Sequence, residues 1–139
     1  MDINKIEIGD VPDNVNVIIE VPARSSVKYE LDKESGAIVV DRFLQTPMFY
    51  PADYGFIPHT LADDGDPLDA LVLNRWGLQA GSVIKSRPIG VLYMEDEKGK
   101  DEKIICVPAK KLDKVYANIN ELNDLSQQII NVEVAINKT

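Results

Sequence analysis

Between residues 63 and 74 the chain reads DDGDPLDALVLN, which crowds Asp63, Asp64, Asp66 and Asp69 ahead of an apolar run. Carboxylates gathered beside a buried strand resist ionisation unless something positive lies among them. Acidic residues recur as Glu95, Asp96, Glu97, Asp101 and Glu102, and Glu20 and Glu30 sit in strand-like segments. Oxygen donors of this kind suit hard cations such as Mg²⁺ or Mn²⁺. With His59 as the single histidine and Cys106 as the single cysteine, the chain has no zinc set. An EF-hand is also excluded. Its glycine occupies the sixth loop position, which would make Thr60 the first ligand, and no helical pattern flanks the loop.

Each acidic cluster has a plain alternative as a solvated turn, and MEDEKGKDEK reads as a charged hairpin turn. Lys28 and Arg42 on strand faces add a second ingredient. Divalent ions held by carboxylates and facing Lys and Arg are what phosphoryl transfer needs. The metals take charge from the attacking and leaving oxygens, and the cationic side chains hold the rest.

The elements that must position these groups are mostly strands. VNVIIEVP (15–22) is β-branched and closes at a proline. SVKYELD (26–32) alternates, with Val27, Tyr29 and Leu31 opposite Lys28, Glu30 and Asp32. KESG is a tight turn, AIVVDRF (37–43) returns, and residues 26–43 are expected to form a hairpin. LDALVLN (68–74), SVIKSRPIGVLYM (82–94) and KIICVP (103–108) supply further strands, with a bulge, bend or edge expected at Pro88. YPADYGFIP and DDGDP leave no room for a helix. Asp124 is expected to cap a helix over LSQQIINVEVAI, with Gln127 as its capping-box partner. The pattern predicts a mainly β chain with minor α: a small β-barrel with a C-terminal helix packed on it.

At 139 residues and 45% hydrophobic content, residues 1–139 are expected to form one domain with a real core. A formal net charge of −8 argues against nucleic acid or an anionic membrane surface as partner. Cys106 lies in the apolar run IICVP and reads as a buried thiol. MDINKIEIGD lacks a signal-peptide pattern, and no apolar run reaches the roughly 20 residues that span a bilayer, so a cytoplasmic protein is expected.

DGDPLDALV, together with IIEVP, KYELDKESGAIVVDRF, MFYPADYGFIPHTL, SVIKSRPIGVLYMEDEKGKDEKIICVP and NDL, resembles the soluble family I inorganic pyrophosphatases in order and spacing. The resemblance runs from about residue 11 to residue 125. It implies a five-stranded, OB-like barrel and Mg²⁺-dependent hydrolysis of inorganic pyrophosphate to two phosphates through a metal-activated water. It implies that Asp64, Asp69 and Asp101 hold tightly bound Mg²⁺, and that Asp96 holds a metal arriving with substrate, with Asp101 bridging. Glu20 and Glu30 would line the same pocket, Glu20 toward the metal and Glu30 toward the substrate. Lys28, Arg42 and Lys103 would grip the phosphates, Tyr54 would stand near the substrate, and Asp66 would be the general base. Gly65 lets the chain turn so that Asp64 and Asp66 reach one cavity. Tyr50 reads as a packing residue as readily as a substrate contact, and His59 as a loop residue. Trp76 is read as covering a barrel end or lying in a subunit contact.

The resemblance also implies a homo-oligomer, a hexamer in bacterial relatives. Family members continue past NDL with an aromatic-rich helix bearing a Tyr-Lys pair, and NDLSQQIINVEVAINKT has no counterpart of that pair. Losing a hydrogen bond to a charged phosphate costs about 1.5–3 kcal/mol, so weaker substrate binding is expected. The rival readings are a shortened relative that binds metal or pyrophosphate with little turnover, and an OB-like module for oligonucleotides or sugars.

Overall fold

The computed structural model describes residues 1–44, 52–62, 65–96 and 99–124. The chain is mainly β, with strands β1 (Val15–Val21), β2 (Val27–Leu31), β3 (Ile38–Phe43), β4 (Asp53–Phe56), β5 (Asp69–Val72), β6 (Val83–Asp96) and β7 (Gly99–Pro108). Short 3₁₀ turns cover Ile3–Lys5, Lys114–Tyr116 and Leu122–Asp124. Strands β1, β4, β5, β7 and β6 pair in that order and close on one another, while β2 and β3 form a separate two-stranded sheet. The expected hairpin therefore exists but stands outside the closed sheet.

The strand that takes its place, β4, was not anticipated from the sequence. It is four residues long, contains Gly55 and follows a proline, so neither length nor composition marks it. Gly55 is there because β4 lies hard against β1. A Cβ at that position would meet the Ile18 carbonyl oxygen at 1.9 Å.

Alternation along β1, β5 and β7 sends successive side chains to opposite faces. Val15, Val17, Ile19, Ala70, Val72, Ile84 and Cys106 make one apolar cluster. Leu71, Leu73, Ile89, Ile105, Val107 and Tyr116 make another. Both faces of β5 and β7 are thus covered, and each fully buried aliphatic side chain contributes about 1.5–3 kcal/mol relative to exposure. The Cys106 thiol is pushed up to about 12 by burial, as expected for a packing residue.

The register of β6 against β7 shifts between Pro88 and Gly90, which favours the bulge among the bulge, bend or edge expected at the proline. Leu122 packs into the space Gly90 leaves open, where a Cβ would meet Leu122 Cγ at 2.5 Å. The acidic hairpin is real: the β6–β7 ladder runs out to Asp96 opposite Gly99.

Asp124 is engaged with the residues before it. Its carboxylate accepts from Asn120 N–H at 2.9 Å and Glu121 N–H at 3.2 Å, closing the turn that precedes it. The segment expected to be helical, LSQQIINVEVAI (125–136), lies outside the described residues, as does Tyr50. Among the described residues no helix is long and apolar enough to cross a membrane.

Candidate active site

The parallel pairing of β5 with β7 sets Asp69 directly beside Lys103. Lys103 is 93% covered, unusual for a lysine, so its ammonium must find partners. It donates to Asp69 Oδ2 at 3.2 Å, to Asp101 Oδ2 at 3.1 Å and to the Tyr54 hydroxyl at 3.5 Å. The same ammonium lies 5.0 Å from the centre of the Tyr54 ring. Tyr54 reaches this point from β4, and its hydroxyl also hydrogen-bonds Asp69.

Glu20, from β1, extends the acidic floor. Burial pushes its carboxyl above 4.5, and Asp69 and Glu30 add repulsion, while Leu31 N–H (2.8 Å) and Lys33 act the other way. Asp69 is likewise held above 3.8 by burial, despite the opposing pull of Lys103. Two carboxyls kept reluctant to ionise, beside a third that shares a lysine with one of them, form a pocket where extra positive charge is favoured.

Lys28 and Arg42 are cross-strand partners on the hairpin, and both turn toward Asp41, at 3.4 Å and 3.8 Å. Glu30 is exposed on the same strand as Lys28. Asp66 is also exposed and has Lys33 Nζ 4.0 Å away. Gly65 adopts φ +87°, the left-handed turn that its position before Asp66 suggested. The structure thus brings together Tyr54, Asp69, Asp101 and Lys103, with Glu20 in electrostatic reach. Lys28, Arg42 and Glu30 sit on the separate hairpin, with Glu30 close enough to Glu20 to repel it. Asp64 lies outside the described residues, and of Asp96 only the backbone is described. Among the described residues no three His, Cys, Asp or Glu side chains converge tightly enough to hold an ion by themselves.

Comparison with known proteins decides the kinship. The family model described as inorganic pyrophosphatase matches residues 17–134. The chain is 56% identical to the inorganic pyrophosphatase of Campylobacter jejuni over 131 residues, 94% of this chain and 76% of that one. The chain belongs to the inorganic pyrophosphatase family. The Gluconobacter oxydans inorganic pyrophosphatase is 60% identical over 128 residues, 91% of this chain and 74% of its own length. The crystal structure of the Thermus thermophilus inorganic pyrophosphatase superposes with a TM-score of 0.88 at 45% identity, covering 98% of this chain and 76% of that one. The structure of the Helicobacter pylori enzyme gives 0.85 at 52% identity, covering 89% and 73%. The chain therefore spans about three quarters of the length of these pyrophosphatases.

Three further charged residues with partners across the fold were not picked out as site residues from the sequence. Asp41 collects the two hairpin cations, and Lys33 faces Asp66. Asp53 is fully buried, accepts from Ala23 N–H at 2.8 Å and from Asn74 Nδ2 at 3.2 Å, and is raised by burial. None carries a local signal, because each is defined by what it touches across the fold. For Asp53, its position next to Tyr54 was the one available hint.

Proposed function

We propose that this chain hydrolyses inorganic pyrophosphate to two phosphates with Mg²⁺. The observation that carries the reading is the Tyr54–Asp69–Asp101–Lys103 cluster in a chain of the inorganic pyrophosphatase family. The donor set fits a hard divalent ion: it is all oxygen, and burial plus repulsion hold Glu20 and Asp69 above their ordinary values. Asp69 and Asp101 with Asp64 would hold the resident ion, and Asp96 and Glu20 would serve a further one. Mn²⁺ is chemically the nearest substitute. When bound, the ion lowers the pKa of a coordinated water and neutralises charge on the phosphoryl oxygens.

The side chains of this chain do the rest. Asp66, exposed and able to reach solvent, accepts the proton of the attacking water and orients it. Lys103, already positioned between carboxylates, turns part of its hydrogen bonding to a phosphate oxygen. The Tyr54 hydroxyl stands beside it to donate to the same group. Lys28 and Arg42 close from the hairpin onto the other phosphate, and Glu30 beside them helps to order the substrate face. As P–O cleavage proceeds, the leaving phosphate's charge falls on these cations.

The finer architecture belongs to the same proposal: a single OB-like unit, completed by a helix from residues beyond 124 and assembled as a homo-oligomer. Calorimetry with imidodiphosphate, run beside a phosphate-release assay, tests the reading against its rival. Turnover of pyrophosphate supports hydrolysis. Tight analogue binding without phosphate release supports a shortened relative that only binds.

A further inference from the structure

We propose that Lys33 is a positioning residue that orients Asp66 for its part in the reaction. The inference rests on the pyrophosphatase reading of Asp66 and adds to it a residue outside the expected site. Lys33 projects from the β2–β3 turn, which is tightly tied. Asp32 accepts from Glu34 N–H at 3.2 Å and from Ser35 Oγ at 2.8 Å, and Gly36 N–H donates to the Asp32 carbonyl at 2.7 Å. The amino group of Met1 donates to the Gly36 carbonyl at 3.0 Å and so fixes the tip from below. From this platform the Lys33 ammonium stands 5.7 Å from the centre of the Phe56 ring and 4.0 Å from Asp66 Oδ1.

Three contacts therefore meet in one side chain: a braced turn behind it, an aromatic face beneath it and a carboxylate in front. Phe56 pairs with Asp69 across β4 and β5, so the ring that seats Lys33 is next to the acidic floor. An exposed ion pair adds little to stability. The Lys33–Asp66 pair is 46% and 74% exposed at its two ends, so its effect falls on orientation. Contact with Lys33 at Oδ1 restricts the orientations open to the Asp66 carboxylate, and that orientation is what handling the attacking water requires.

The test is a kinetic cycle on the full chain with pyrophosphate and Mg²⁺: wild type, Lys33→Gln, Asp66→Asn and the double variant. Lys33→Gln should lower kcat roughly tenfold, the order of loss expected from a misplaced reacting group, with KM nearly unchanged. Lys33→Arg should recover most of the rate, and Lys33→Gln should cost nothing further in the Asp66→Asn background. A raised KM at constant kcat would instead make Lys33 a substrate contact, and a silent Lys33→Gln beside a defective Asp66→Asn would overturn the proposal alone. A silent Asp66→Asn in an active wild type would sink the reading of Asp66 itself. A folded wild type that releases no phosphate would remove the reading of Asp66 and this proposal with it.

Discussion

Lys103 Nζ sits 3.2 Å from Asp69 Oδ2, on adjacent parallel strands, with Asp101 closing the other side at 3.1 Å. One buried ammonium thus holds together two carboxylates expected to bind metal. Parallel pairing of β5 with β7 is what makes this possible. It sets residues 34 apart in sequence on the same rung.

Asp69→Asn removes one of those charges while keeping the shape. The Mg²⁺ concentration for half-maximal phosphate release should rise roughly tenfold or more, as expected for loss of a charged ligand. Mg²⁺ titration of activity, paired with calorimetric Mg²⁺ binding, checks it. An unchanged Mg²⁺ dependence removes Asp69 from the metal site.

Arg42→Ala should raise KM for pyrophosphate about ten- to a hundredfold, as for a lost hydrogen bond to a charged group. Tm should barely move. The Arg42 side chain is 66% exposed, and its pair with Asp41 at 3.8 Å is of the surface kind, which contributes about 0–1 kcal/mol. A collapse in Tm with KM unchanged would make Arg42 a structural partner of Asp41.

Burial pushes Glu20, Asp53 and Asp69 above their ordinary 4.5, 3.8 and 3.8. A carboxyl raised on folding favours the folded state while protonated. Its contribution is complete below the unfolded value and is lost as pH climbs through the raised one. Asp32 and Asp113, held low by Ser35 and Arg75, act in the opposite sense and lose their contribution as pH falls. Glu20 and Asp69 lie together in the candidate site, so Mg²⁺ should increase Tm more near pH 7 than near pH 5, where protons compete for the same oxygens. Scanning calorimetry in EDTA and in Mg²⁺ measures this. Asp53→Asn, outside the Asp69 cluster, should flatten the metal-free decline toward neutral pH. Equal Mg²⁺ gains at both pH values would contradict the account.

Gly55→Ala should prevent stable folding. The new Cβ would lie 1.9 Å from the Ile18 carbonyl oxygen, and its three nearest neighbours are all β1 backbone, which has no flexible side chain to swing away. The cost should exceed about 4 kcal/mol, the range reserved for overpacking and similar lesions. Circular dichroism of the purified variant would show it, and a native-like melt would mean β1 and β4 can separate.

Much of this was legible in the sequence, for physical reasons. Alternation exposed β2, β-branched runs exposed β1 and β7, and Pro88 marked the bulge. Gly65 before Asp66 announced its left-handed turn. What could not be read was partnership. Alternation says that Val27, Tyr29 and Leu31 share a face, but not that their hairpin stands apart from the closed sheet. Gly55 looks like a strand breaker until Ile18 is seen pressed against it. Asp41 and Lys33 look like solvated charges until Lys28, Arg42 and Asp66 are placed around them.

The most direct test of the central claim is phosphate release from pyrophosphate by this chain, in Mg²⁺ and in EDTA, beside Asp66→Asn. The account predicts turnover that needs Mg²⁺ and is largely lost in the variant. A folded chain that binds Mg²⁺ yet releases no phosphate, or an Asp66→Asn variant as fast as wild type, would contradict it.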